Sequence, residues 1–180
     1  LLFVNDRVDV ALAAGADGVH LGGGAVPVAV ARRLLPNGAL VGVSTHTPAE
    51  LTATDADFAF FGPVFATPSK ARFGPPLGVA RFREAVAAAR VPVLAIGGVE
   101  PGEVAAARAA GAAGVAVIRA VLAAPDLNAA KGIAFGGMMA AGTGLWRLAQ
   151  GALTPGEAPG GGGIQVPAQP IPPEALPPVS

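Results

Sequence analysis

The apolar residues of this chain fall in short unbroken runs, and each run stops at a polar residue or a glycine. Leu1-Leu2-Phe3-Val4 gives way to Asn5-Asp6-Arg7, and Gly18-Val19-His20-Leu21 gives way to Gly22. Ala39-Leu40-Val41-Gly42-Val43 ends at Ser44, and Phe58-Ala59-Phe60-Phe61 ends at Gly62. Val91 to Ile96 ends at Gly97-Gly98, and Val115-Ala116-Val117-Ile118 ends at Arg119. A strand covered by helices on both faces loses the alternation of a half-exposed strand and reads as a continuous apolar run. Six such runs predict six parallel strands. The stretch Ala14-Gly15-Ala16-Asp17-Gly18-Val19-His20-Leu21 returns as Ala110-Gly111-Ala112-Ala113-Gly114-Val115-Ala116-Val117. In both, a helix closed by glycine turns directly into a buried strand, so the unit is repeated. The pattern predicts an α/β fold, a partial (β/α)8 barrel with about six βα units, whose chemistry sits at the carboxyl ends of the strands.

A closed barrel of this type has eight strands and typically about 200 residues or more. Here the pattern opens inside a strand at residue 1 and stops near Asp126. The expectation is a chain lacking the first two βα units of its parent; a genuinely open six-stranded sheet is the alternative. Residues 1–127 form the partial barrel in this reading. Leu1 to Val4 and Val115 to Ile118 would then be unpaired edges, prone to aggregate or to join two copies as a homodimer. Residues 128–150 are apolar but broken by glycines, too short for a comfortable membrane span, and read as a helix or loose segment covering the barrel. From Gly151 to Ser180 there are eight prolines and six glycines, and only Glu157 and Glu174 carry charge. Such a Gly/Pro-rich tail buries too little surface to offset its ordering entropy and is expected to be disordered.

Composition narrows the function. Twelve basic and twelve acidic residues balance, which leaves no electrostatic footprint for nucleic acid or an anionic membrane. The absence of cysteine removes disulfides and thiolate chemistry together. Two histidines without zinc-ligand spacing argue against a zinc site. A cytoplasmic protein acting on small molecules is expected.

The ordered series Asn5-Asp6-Arg7, Gly18-Val19-His20-Leu21-Gly22, Gly42-Val43-Ser44-Thr45-His46-Thr47, Gly62-Pro63-Val64-Phe65, Thr67-Pro68-Ser69-Lys70, Ala95-Ile96-Gly97-Gly98-Val99 and Gly114-Val115-Ala116-Val117-Ile118 resembles the thiamin-phosphate synthase and TenI family over residues 1 to about 126. The resemblance implies thiamin biosynthesis. Synthases of this family join a thiazole phosphate to an aminopyrimidine carried on pyrophosphate and release the pyrophosphate with Mg2+. TenI-type proteins isomerise the thiazole carboxylate phosphate. Thiazole phosphate and a pyrimidine pyrophosphate are therefore the implied small-molecule partners.

Residue by residue, the resemblance implies that Asp6 is a magnesium ligand and that Asn5 contacts the pyrophosphate. Lys70, one of only two lysines beside ten arginines, sits with Thr67 and Ser69 in a loop that contacts the pyrophosphate or the thiazole phosphate, and is with His46 a candidate catalytic residue. A compact ammonium suits that task, although a solvated loop lysine is the plainer reading. The Gly74-Pro75 pair suggests a loop that closes over substrate. Gly97, Gly98, Ile118 and Arg119 form the expected thiazole-phosphate cradle, since backbone N–H groups beside glycine approach an anion closely; a plain tight turn is the other use of Gly97-Gly98. The family usually has Ser where this chain has Arg119, and an arginine there could pair with the phosphate or obstruct it. Ser44 faces the thiazole side. His46, at a strand end, is the candidate acid/base of a tautomerase. His20 reads as a hydrogen-bonded structural histidine, and Asp9, Asp17, Asp55 and Asp57 as cap or turn residues. Where synthases carry a second carboxylate after the His-Leu-Gly stretch, this chain has Gly22-Gly23-Gly24-Ala25, and the two βα units expected to be missing would have supplied the Gln-x-Arg-x-Lys strand end that holds pyrophosphate in the family. The chain is expected not to make thiamin phosphate as written. A tautomerase and a non-catalytic thiazole-phosphate-binding barrel are the rival readings.

Overall fold

The computed structural model describes residues 1–68, 70 and 74–123, together with the backbone of two strands at 138–142 and 145–148. Strands and helices alternate as β1 (Leu2–Asn5), α1 (Val8–Ala13), β2 (Gly18–Leu21), α2 (Val28–Leu34), β3 (Leu40–Thr45), α3 (Pro48–Ala53), β4 (Phe58–Phe61), α4 (Gly78–Ala88), β5 (Val93–Ile96), α5 (Val104–Ala109), β6 (Gly114–Val117) and α6 (Arg119–Leu122). Neighbouring strands from β1 to β6 pair in parallel, with Val4 opposite Val19, Val19 opposite Val41, Val43 opposite Ala59, Phe61 opposite Ala95 and Ala95 opposite Val115. This is a partial TIM barrel, and all six predicted strands are present. No helix among the described residues is long and apolar enough to cross a membrane.

The two strands further along differ from expectation. β7 (Met138–Gly142) pairs parallel with β6, and β8 (Leu145–Leu148) pairs antiparallel with both β7 and β1, so the ring of pairings closes. The predicted helix or loose cover over 128–150 is thus replaced, at 138–142 and 145–148, by a pair of antiparallel strands. The predicted open edges at Leu1 to Val4 and Val115 to Ile118 are also corrected, because both are paired within the chain. The physical reason is that an edge strand presents a row of unsatisfied N–H and C=O groups, and a segment of the same chain has the shortest route to them. Glycine-rich sequence is also a poor helix former. Residues 151–180, the predicted tail, lie outside the described residues.

Inside the ring, Phe3, Phe58, Phe60, Leu94 and Ala116 form one buried cluster. Phe3 and Phe58 meet edge to face with ring centroids 5.3 Å apart. Gly42 on β3 makes room for this layer: a Cβ there would stand 2.2 Å from Cζ of Phe58. Large rings thus pack over small residues on adjacent strands, as barrel interiors require. Burying each such phenylalanine contributes about 1.5–3 kcal/mol. Two outer clusters fasten the helices. Val4, Val19 and Val41 pack with Val8, Ala11 and Ala31 of α1 and α2, and Phe61, Ala95 and Val115 pack with Phe82, Ala85 and Ala107 of α4 and α5.

Two aspartates act at strand starts. The Asp17 carboxylate accepts from the Leu2 N–H, and Asp57 accepts from the Val41 N–H at 2.7 Å and from Arg32 at 3.0 Å. Both lie in bends, as a turn reading expects, and their carboxylates satisfy backbone donors at the amino ends of the strands. Asp9 pairs with Arg7 on the exposed surface of α1, where the guanidinium lowers its carboxyl to about 2.

Candidate active site

The carboxyl ends of the strands carry two distinct assemblies. The first spans β1, β2 and β3. Asn5 ends β1, and the next residue, Asp6, takes a left-handed φ of 60° that turns the chain sharply. Its N–H donates to the His20 carbonyl at 2.8 Å. Its carboxylate accepts from the Gly22 N–H at 2.6 Å and from Asn5 Nδ2 at 2.8 Å. Asn5 therefore turns its Oδ1 towards His20 Nδ1, 2.9 Å away. A carbonyl oxygen only accepts, so that nitrogen carries the proton. On the other side of the ring, Nε2 lies 3.3 Å from Ser44 Oγ.

His20 is 2 % exposed and stacks on Phe60 with centroids 4.3 Å apart. Burial pushes its pKa down to about 4, and the Asp6 charge and the Val43 backbone oppose that shift more weakly. The ring is neutral at physiological pH. The structural reading of His20 thus holds, but sequence reasoning missed that it joins two predicted site residues, Asn5 and Ser44. Only the register, which sets Asn5 beside His20 and His20 beside Gly42, reveals the connection.

His46 follows β3 at the same end. Its Nδ1 lies 2.6 Å from the Gly62 carbonyl, so in the neutral ring Nδ1 holds the proton and Nε2 keeps the lone pair. Glu50 fixes the approach: its Oε2 accepts from the His46 N–H at 2.6 Å and from the Thr47 N–H at 3.3 Å, while Thr47 Oγ1 accepts from the Glu50 N–H. This is a capping box at the start of α3, and its Thr-x-x-Glu spacing was readable in the sequence.

The second assembly lies after β4, β5 and β6. Thr67, Lys70, Gly97, Gly98, Ile118 and Arg119 line one cleft of about 390 Å³, together with Val99 and Glu100. Of the residues expected to meet a phosphate, Asn5 and Ser44 belong to the first assembly and Ser69 lies outside the described residues; the others share this cleft. The loop around Gly74-Pro75 is only partly described.

The two glycines have a steric duty as well. Gly97 and Gly98 hold positive φ angles of 88° and 67°. A Cβ on Gly98 would stand 2.3 Å from the Ala66 carbonyl oxygen, and one on Gly97 would stand 2.6 Å from Cβ of Pro63. The loops after β4 and β5 meet this closely because both side chains are missing, and Thr67, Pro68 and Lys70 from one and Gly97 and Gly98 from the other line the same cleft. Sequence reasoning missed Glu100, which pairs with Arg119 at 2.7 Å. A Glu-Pro-Gly-Glu turn signals a capped helix start, but not which distant arginine the first glutamate meets.

Among the described residues, no group of three or more His, Asp or Glu is arranged to hold a metal. Asp6 is the one carboxylate of the first assembly. Each of its oxygens already accepts one hydrogen bond and retains a lone pair. That fits Mg2+ of the kind held by one or two carboxylates with phosphate oxygens and water completing the shell; an all-protein cage is not built here.

The family model described as Thiamine monophosphate synthase matches residues 1–121, more than half of the chain. The chain belongs to the thiamine monophosphate synthase family. A putative thiamine-phosphate synthase from Geobacter sulfurreducens is 52% identical over 128 residues, covering 69% of this chain and 60% of that protein. The thiamine-phosphate synthase of Methanoculleus marisnigri is 50% identical over 133 residues, covering 72% of this chain and 63% of that protein. Among solved structures, the thiamine phosphate pyrophosphorylase from Pyrococcus furiosus superposes with a TM-score of 0.65 at 36% identity, covering 74% of this chain and 65% of that one. The chain thus spans about three fifths of the length of these two relatives.

Proposed function

We propose that this chain is a thiamin-phosphate-synthase-type protein of thiamin biosynthesis whose best-built element is its thiazole-phosphate cleft. One observation carries the reading: Thr67, Lys70, Gly97, Gly98, Ile118 and Arg119, far apart in sequence, line a single cleft beyond the carboxyl ends of β4 to β6. Two cationic side chains and a glycine backbone at that end of such a barrel suit a phosphate monoester. In the coupling reaction the carbon–oxygen bond between the aminopyrimidine methylene and pyrophosphate breaks, pyrophosphate leaves with the electron pair, and the thiazole nitrogen donates its own pair to the methylene carbon. Bound Mg2+, held by Asp6, would neutralise charge on the leaving pyrophosphate. Asn5 orients the same group, held in place by His20, and the cleft holds the thiazole phosphate against the reacting carbon.

The coupling step is expected to be feeble in this chain, because Gly22-Gly23-Gly24-Ala25 supplies no second carboxylate. Calorimetric titration of the full chain with thiazole phosphate tests the binding reading. Saturable one-to-one binding, weakened by Lys70→Ala, supports it, and no heat with a folded protein rejects it. A second reading, a thiazole tautomerase, rests on His46, whose anchored Nδ1 leaves Nε2 as a base. Isomerisation that survives chelation and disappears in His46→Gln favours that reading over the synthase.

A further inference from the structure

Arg119 lines the cleft, yet its guanidinium is already engaged there. Its guanidinium binds Glu100 Oε1 at 2.7 Å, and both side chains line the cleft with Lys70, Gly97 and Gly98. Glu100 is the better anchored partner. Its carboxylate also caps the Glu103 N–H, while the Glu103 carboxylate accepts from the Glu100 N–H at 3.0 Å. Arg119 is 58% exposed on a long stem, so it is the member free to turn.

We propose that Glu100 is a built-in competitor for the anion site, which occupies Arg119 until a phosphate monoester displaces it, and that this pair sets how strongly and how selectively the cleft takes phosphate. The inference rests on reading the cleft as a phosphate site, and it answers whether Arg119 serves or obstructs that site: it serves after exchanging partners. Two anions cannot both take the best face of one guanidinium, and of the charged residues lining the cleft, Lys70 and Arg119 are opposed only by Glu100. Removing the Glu100 charge therefore frees a donor and lifts a repulsion together. Exposed ion pairs are weak, so the exchange is inexpensive, and a charge-assisted bond to phosphate more than offsets it.

The test is calorimetric titration of the full chain with inorganic phosphate and, separately, with thiazole phosphate. Glu100→Gln is expected to tighten both about two- to fivefold, and Arg119→Ser to weaken both about tenfold. In the Arg119→Ser background, Glu100→Gln should give a smaller gain, since no guanidinium remains to be released. Melting curves matching the parent confirm that these exposed substitutions leave the fold intact. Unchanged or weaker binding in Glu100→Gln, unchanged binding in Arg119→Ser, or strictly additive effects overturn the proposal. If the variants behave as expected but thiazole phosphate binds no better than inorganic phosphate, the competitor stands and the thiazole reading falls. If thiazole phosphate binds well and the variants do nothing, the reverse holds.

Discussion

The two halves of the barrel mouth solve opposite problems. Across β1 to β3, the polar groups satisfy one another: Asp6, Asn5, His20 and Ser44 form a continuous hydrogen-bonded line, anchored by a buried neutral ring. Across β4 to β6, the working surface is glycine backbone and exposed charge around an open cleft. The first half is a network of mutually bonded side chains that leaves Asp6 one lone pair on each oxygen; the second is an open cleft lined by charged side chains, which the proposed function makes the phosphate receptor. Stability and binding therefore reside at different places along one rim, and substitutions should separate them.

The sharpest break falls on the cleft side. Gly98→Ala forces a Cβ to 2.3 Å from the Ala66 carbonyl at a positive φ, a backbone clash that no side-chain movement relieves. It should cost about 2–5 kcal/mol of stability and abolish phosphate binding, read by thermal melt and titration. A folded variant with parental affinity would show that the glycine backbone does not shape the cleft.

On the supporting side, His20→Ala strips partners from Asn5 and Ser44 and leaves a void against Phe60. The expected loss is about 2–4 kcal/mol in denaturant unfolding, while phosphate affinity of the protein that remains folded changes little. A large loss of affinity at parental stability would dissolve the division between the halves.

Acid sharpens the same point. With a folded pKa of about 4 against an ordinary value near 6.5, His20 takes up a proton more readily when unfolded. Its contribution is complete above pH 6.5 and is lost as pH falls towards 4, by about 1 kcal/mol between pH 7.5 and 5.5. His20→Gln, which cannot titrate, should flatten that part of the stability profile; an unchanged slope would mean that other groups set it. Smallest of all, Arg7→Ala removes an ion pair that is exposed on both sides, and its melting temperature should match that of the parent protein.

Much of this was legible in the chain. All six strands announced themselves because strands buried on both faces must be apolar throughout. Gly97, Gly98 and Lys70, singled out as candidates through the family resemblance, line one cleft in the structure. Asp17 and Asp57 read as cap or turn residues because aspartate at a turn commonly satisfies nearby backbone. Their actual partners, Leu2 and Val41, lie on neighbouring strands and were invisible locally.

What the sequence determined by itself, then, is whatever depends on near neighbours: strand identity and the repeated βα unit. Tertiary structure alone decided the long-range pairings. It placed β7 and β8 against the strand edges, set His20 between Asn5 and Ser44, and turned Arg119 to Glu100. Hydrophobic periodicity is a property of consecutive positions, whereas a hydrogen bond or ion pair between separate strand ends depends on register and closure, which no local pattern encodes.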